Sequence, residues 1–183
     1  IARSRFSVTY PASFMLVASM NPCPCGYFNH PEKECVCAPG VVQKYLNKIS
    51  GPLMDRIDLH VEVTPVDFNE LSSQQENEKS DIIRNRVIQS REIQAYRFKK
   101  AEGIFCNAQM SSKMLKEICL IDHTSHMMLK KVMEKLNLSA RAYDRILKVS
   151  RTIADLDFSE TIKTEHLAEA IQYRSLDREN WGG

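Results

Sequence analysis

The sequence predicts an α/β segment followed by an all-helical region, a chain that is mostly α in total. Three observations predict this. Phe14-Met15-Leu16-Val17-Ala18-Ser19 is a continuous apolar run between Pro11 and Asn21-Pro22, the pattern of a strand covered on both faces in a parallel sheet. Ile57, Leu59, Val61 and Val63 alternate with Asp58, His60 and Glu62, the pattern of a half-buried strand. After the aperiodic polar stretch 69–80, the apolar spacing is helical.

Between the two strand candidates, Pro39-Gly40 opens a helix with Val41, Val42, Tyr45, Leu46 and Ile49 on one face, and Ser50-Gly51-Pro52 stops it. Beyond the polar stretch, one long helix is predicted from Asp81 to about Lys100, a short one over 111–119, and another over 122–137. Ser139 is a good N-cap for a helix to Asp155, and Thr164 caps a last one through Tyr173. The chain therefore divides into residues 1–66, a linker at 67–80, a helical region at 81–176 and a frayed tail at 177–183.

With 183 residues and 43% hydrophobic side chains, the chain can bury a core, which excludes wholesale disorder. No apolar run approaches the roughly 20 residues that a membrane helix requires. The net charge is only +2, so any nucleic-acid contact must come from a local patch. Residue 1 is Ile and no secretory signal follows, so the chain reads as mid-protein sequence, with chemistry expected to be missing from its front. Six cysteines without such a signal point to a reducing compartment, the cytoplasm, where grouped thiols serve as metal ligands or redox groups.

Cys23-Pro24-Cys25 and Cys35-Val36-Cys37 form two C-x-C pairs nine residues apart. Four thiolates from two tight turns satisfy a tetrahedral zinc, and a site closed by four protein ligands is structural rather than catalytic. Four unligated thiols or two disulfides are the alternatives, and His30 between the pairs could replace one thiolate. Cys106 and Cys119 lie in apolar surroundings and read as buried hydrophobes. His123 and His126 share a helix face, but no further ligand accompanies them.

Asn21 follows the first strand candidate, where α/β proteins present groups to ligands. Arg56 sits on a short loop between a helix stop and a strand, placed either to grip phosphate or to pair with Asp55 or Asp58. Arg141, Arg145, Lys148 and Arg151 share one helix face, as a solvated basic stripe or a phosphate-facing one. Neither a G-x-x-x-x-G-K-[ST] phosphate loop nor a nucleophile motif is present, so this chain alone is expected to be inactive.

Taken in order, Tyr10-Pro-Ala-Ser-Phe-Met-Leu-Val-Ala-Ser-Met-Asn-Pro-Cys-Pro-Cys-Gly26, Ile49-Ser-Gly-Pro-Leu-Met-Asp-Arg-Ile-Asp-Leu-His60 and the stretch from Leu138 to Asp155 closely resemble magnesium-chelatase-like AAA+ ATPases of the ComM (YifB) type. The resemblance implies that residues 1–66 are the end of an AAA+ core with a Cys-rich insertion at 22–39, and that 81–176 are its helical lid. It implies ATP and Mg²⁺ as ligands, held mostly by residues upstream of Ile1. Matched position by position, Asn21 corresponds to sensor 1, Arg56 to the arginine finger acting on a neighbouring subunit, and Arg141 to sensor 2. Arg151 lies further along the same helix and is a second candidate for nucleotide contact. The implied whole is a hexameric, cytoplasmic ATP-driven motor that migrates DNA branches during transformation and recombination. The alternatives are a chelatase-type ATPase that remodels a protein complex, or a zinc interaction module without catalysis.

Overall fold

The structure is a computed structural model that describes residues 2–3, 6–12, 14–63, 65–66 and 77–174. Its only paired strands among those residues are β1 (Ala2–Arg3) and β2 (Phe6–Ser7), antiparallel with Ala2 opposite Ser7 and Arg3 opposite Phe6. Seven α-helices follow among the described residues: α1 Val41–Leu46, α2 Gly51–Met54, α3 Ser80–Phe98, α4 Ser112–Ile118, α5 His123–Lys135, α6 Ala140–Leu156 and α7 Thr164–Gln172. A single 3₁₀ turn, Asn107–Gln109, lies between α3 and α4.

The parallel-sheet strands predicted from the sequence are not formed among the described residues. Phe14, Met15 and Val17 are 75, 87 and 82% exposed, and Val63 is 87% exposed. A strand buried on both faces needs neighbours that take its backbone N–H and C=O groups and cover its side chains. The described residues supply no neighbouring strand for 14–19 or 57–63; residues 57–60 are met instead by the segment after α7, through Ile57 O and the His60 N–H, so both segments run without a ladder. The 67–80 linker falls largely on residues outside those described, and the 177–183 tail falls wholly outside them.

α1 ends at Leu46 with Asn47 as its C-cap, short of the predicted stop at Ser50-Gly51-Pro52, which instead starts α2, because Pro52 sits in the first turn, where its missing N–H has no cost. Ser139 caps α6 as predicted, its hydroxyl accepting the N–H of Ala142 at 3.2 Å. Asp122 and Ser111 cap α5 and α4 in the same way, at 2.7 and 3.4 Å. Each such cap contributes about 1 kcal/mol. Thr164 does not cap α7: it is the first helical residue, and its hydroxyl meets that of Ser125 in α5 at 2.9 Å.

The core lies under the helices from α3 onward. α6 is its axis, burying Ala142, Ile146, Leu147, Ser150, Arg151, Ala154 and Asp155 along one stripe. Leu129 of α5, Leu115 of α4, and Leu167 and Ala170 of α7 close on it, with Phe98, Met110 and Ile162. Each fully buried Leu or Ile contributes about 1.5–3 kcal/mol relative to exposure. Cys119 belongs to this core, and burial pushes its thiol up to about 11, as its apolar reading requires. α3 is different. Its buried positions are Ser90, Gln94 and Phe98. Ile83 and Val87 share that face but stay exposed with Ile82, because among the described residues only the second half of the helix is covered, and Tyr96 points away from it.

Candidate functional site

The two C-x-C turns converge. The Sγ atom of Cys23 lies 3.3 Å from that of Cys25 and 3.7 Å from that of Cys35, and Cys25 and Cys35 are 3.5 Å apart. With Cys37, all four sulfurs fall within 4.8 Å of one another. Four thiolates about 2.3 Å from one zinc stand about 3.8 Å apart, so the spacing fits a tetrahedral ion. All six cysteines are free thiols, so the disulfide alternative is not the one adopted. His30 is not in the cluster: its Nδ1 accepts the N–H groups of Glu32 and Lys33, both at 3.1 Å.

The local backbone explains the convergence. Gly26 takes φ +84° and donates its N–H to Cys23 O at 3.0 Å, folding the first pair into a tight turn. Asn29 takes φ +59°, and the His30 N–H returns to Tyr27 O at 3.1 Å. The backbone N–H of Tyr27 stabilises the Cys25 thiolate and lowers that thiol to about 6. Cys35 moves the opposite way, to about 12: the N–H of Cys37 works against the rise, but desolvation and the S–H bonds to Cys25 and Cys23 outweigh it. Four crowded thiols cannot all ionise without a cation, so they share protons that a divalent metal would displace.

Asn21 stands two residues before this cluster and is exposed. Arg56 is exposed just after α2, its Nη1 donating to Pro52 O at 2.7 Å. Asp58, proposed from the sequence as a possible partner of Arg56, pairs instead with Arg145 of α6. Arg141 is exposed in the first turn of α6, a turn without any acidic residue.

The basic stripe on α6 is not uniform. Lys148 donates to Ala108 O at 2.9 Å, and Arg145 is taken by Asp58. Arg151 does not lie on a solvated face at all. It is 2% exposed, with Nε on Asp155 Oδ1 at 3.1 Å, Nη1 on Glu160 O at 2.8 Å and Nη2 on Ser159 O at 2.5 Å. A nucleotide contact by Arg151 would require breaking those bonds, so here its role is to hold the turn after α6.

A buried polar cluster went unread in the sequence. Asp155 receives Arg97 in a bidentate pair at 2.5 and 2.7 Å, Asn107 Nδ2 at 2.8 Å, and Arg151. Gln94 Oε1 accepts the Asn107 N–H at 3.0 Å. The only available signal was the i, i+4 pairing of Arg151 with Asp155; Arg97 and Asn107 arrive from distant segments. Asp157, Glu165 and His166 also group at the start of α7, but Lys163 already bridges both carboxylates at 3.3 and 3.2 Å.

Two family models match the chain. That of magnesium chelatase, subunit ChlI, covers residues 1–71, and that of the ChlI C-terminal region covers 77–174. The chain belongs to the magnesium chelatase ChlI family. Within it, the type is that of ComM and YifB. Identity is 40% over 179 residues to the Haemophilus influenzae protein named competence protein ComM, and 40% over 179 residues to Escherichia coli YifB. Salmonella typhimurium YifB is 38% identical over 180 residues. Each alignment covers 97% of this chain but 34% of the relative, so the chain spans about a third of the length of the curated relatives it matches. Among the described residues, no helix is long and apolar enough to cross a membrane.

Proposed function

We propose that this chain is the C-terminal part of a hexameric AAA+ ATPase motor, an ATP-driven DNA branch-migration helicase acting in natural transformation and recombination in the cytoplasm. The observation that carries this reading is the match across 97% of the chain to a protein named for competence, at 40% identity. In this reading residues 1–66 close the ATPase core, 81–176 form its lid, and ATP and Mg²⁺ bind mostly through residues that precede this chain.

The placement of the arginines supports it. Arg56 is exposed on a short loop, suited to reach a phosphate bound by a neighbouring subunit. Arg141 is the exposed cation of the α6 stripe, at a helix start that already favours anions. Asn21 would orient the attacking water. Phosphoryl transfer depends on positioning and on neutralising developing charge, and an arginine acting in trans adds ~10³-fold or more. The four cysteines would hold one structural Zn²⁺ beside Asn21.

In the full-length protein, Arg56→Ala should abolish hydrolysis and leave ATP binding nearly intact, because a finger acts on the transition state rather than on bound substrate. Rings mixed from Arg56→Ala subunits and phosphate-loop-dead subunits should regain turnover at interfaces that pair an intact loop with an intact finger. If mixed rings form and stay silent, the finger does not act in trans. A second reading, a chelatase-type remodelling ATPase, is favoured by the name of the matching family; ATP-dependent migration of a branched DNA by the full-length protein separates the two.

A further inference from the structure

The loop after Arg56 is tied to the helical region at three places within four residues. Ile57 O accepts from Nη1 of Arg174, a side chain 1% exposed beyond α7. The Asp58 carboxylate pairs with Arg145 of α6. The His60 N–H donates to Tyr173 O at 2.9 Å. Asp58 lies 87 positions from Arg145 and Ile57 lies 117 from Arg174, so no local preference places them together.

Short covalent spans extend the tie at both ends. Arg56 is two residues from Asp58, at most about 7 Å along an extended chain. Arg141 is one helical turn from Arg145, about 6 Å along α6. A half-exposed ion pair alone is a weak fastener. Combined with a buried guanidinium on Ile57 O and a backbone bond at His60, it leaves the loop little freedom to move independently of α6 and α7.

We infer that Asp58, Arg145 and Arg174 are positioning residues that fasten the Arg56 loop to the lid, so that displacement of α6 at one nucleotide moves Arg56 against the next. The inference rests on the roles of Arg56 and Arg141 proposed above. It gives the ring a direct route for coupling adjacent sites: one rigid body carries Arg141 toward the chain's own ATP and Arg56 toward its neighbour's. Coupling of this kind is reciprocal, so nucleotide at either site biases the other.

The test uses the full-length protein with Asp58→Asn, Arg145→Met, and the charge exchange Asp58→Arg with Arg145→Asp. Each single substitution should lower kcat for ATP about tenfold or more by misplacing the finger. KM should stay within about twofold, because ground-state binding is untouched. The coupling predicts a sigmoidal ATP response for the wild type that flattens in each single variant, and the exchange should restore kcat to within about threefold of wild type. Singles that match wild type, with Arg56→Ala still inactive, overturn the fastening and leave the finger standing. Singles that lose kcat without rescue by the exchange show that the two residues act separately, which also overturns it. Normal turnover by Arg56→Ala overturns this inference together with the reading beneath it.

Discussion

Asp155 is 1% exposed and accepts hydrogen bonds from Arg97, Arg151 and Asn107, which come from α3, α6 and the 3₁₀ turn. A buried carboxylate is tolerated only when its charge is matched and its lone pairs are filled, and both conditions hold here. Removing it strands two guanidinium groups, one of them nearly fully buried. Asp155→Ala should therefore cost about 3–5 kcal/mol, read in urea as a lower midpoint at unchanged slope. A loss below about 1 kcal/mol would mean that Arg97 and Arg151 find other partners without strain. At this scale the sequence is a poor guide. Arg151 and Arg141 look alike on a helical projection, yet one is saturated inside the fold and the other stands in solvent.

At the level of single elements, the cysteine loop makes the sharpest prediction. The chain should hold one zinc, and Cys35→Ser should release it, because a tetrahedral site loses a quarter of its ligands. Elemental analysis of the purified chain checks both; metal-free protein with an unaltered melting profile would refute the site. The start of α7 makes a prediction about acid. His166 Nδ1 accepts the Lys163 N–H at 3.1 Å, and the other ring nitrogen meets Asp157 at 3.1 Å. Hydrogen bonds from His166 first, and then from Lys163, hold the Asp157 carboxyl below the usual carboxylate range. A carboxyl depressed in the folded state stabilises above its unfolded pKa of about 4, and that stabilisation is lost as pH falls through the folded value. Asp157→Asn should accordingly shrink the drop in Tm between neutral pH and about pH 3, a difference measurable by calorimetry.

Across the whole molecule, the helical region has its own core, and among the described residues no core cluster includes the segments before it. The chain carries no phosphate loop, so purified alone it should turn over no ATP; sustained hydrolysis by this chain, free of contaminants, would refute the partial-site reading. The runs at 14–19 and 57–63 keep the composition of strands but lack sheet partners among the described residues. A strand is stabilised by its neighbours, not by its own sequence, whereas a helix satisfies its hydrogen bonds internally.

That difference separates what each source of information decided. Helix positions from Ser80 onward, the cap at Ser139, and the pairing of two C-x-C turns were legible in the sequence, because they depend on residues a few positions apart. The failure of the two strand patterns to form a sheet, the burial of Arg151, the Asp155 cluster and the tie from residues 57–60 to Arg145, Tyr173 and Arg174 were decided only by the tertiary structure. Each depends on groups brought together from distant segments, and no local pattern specifies which of several equivalent charges will meet.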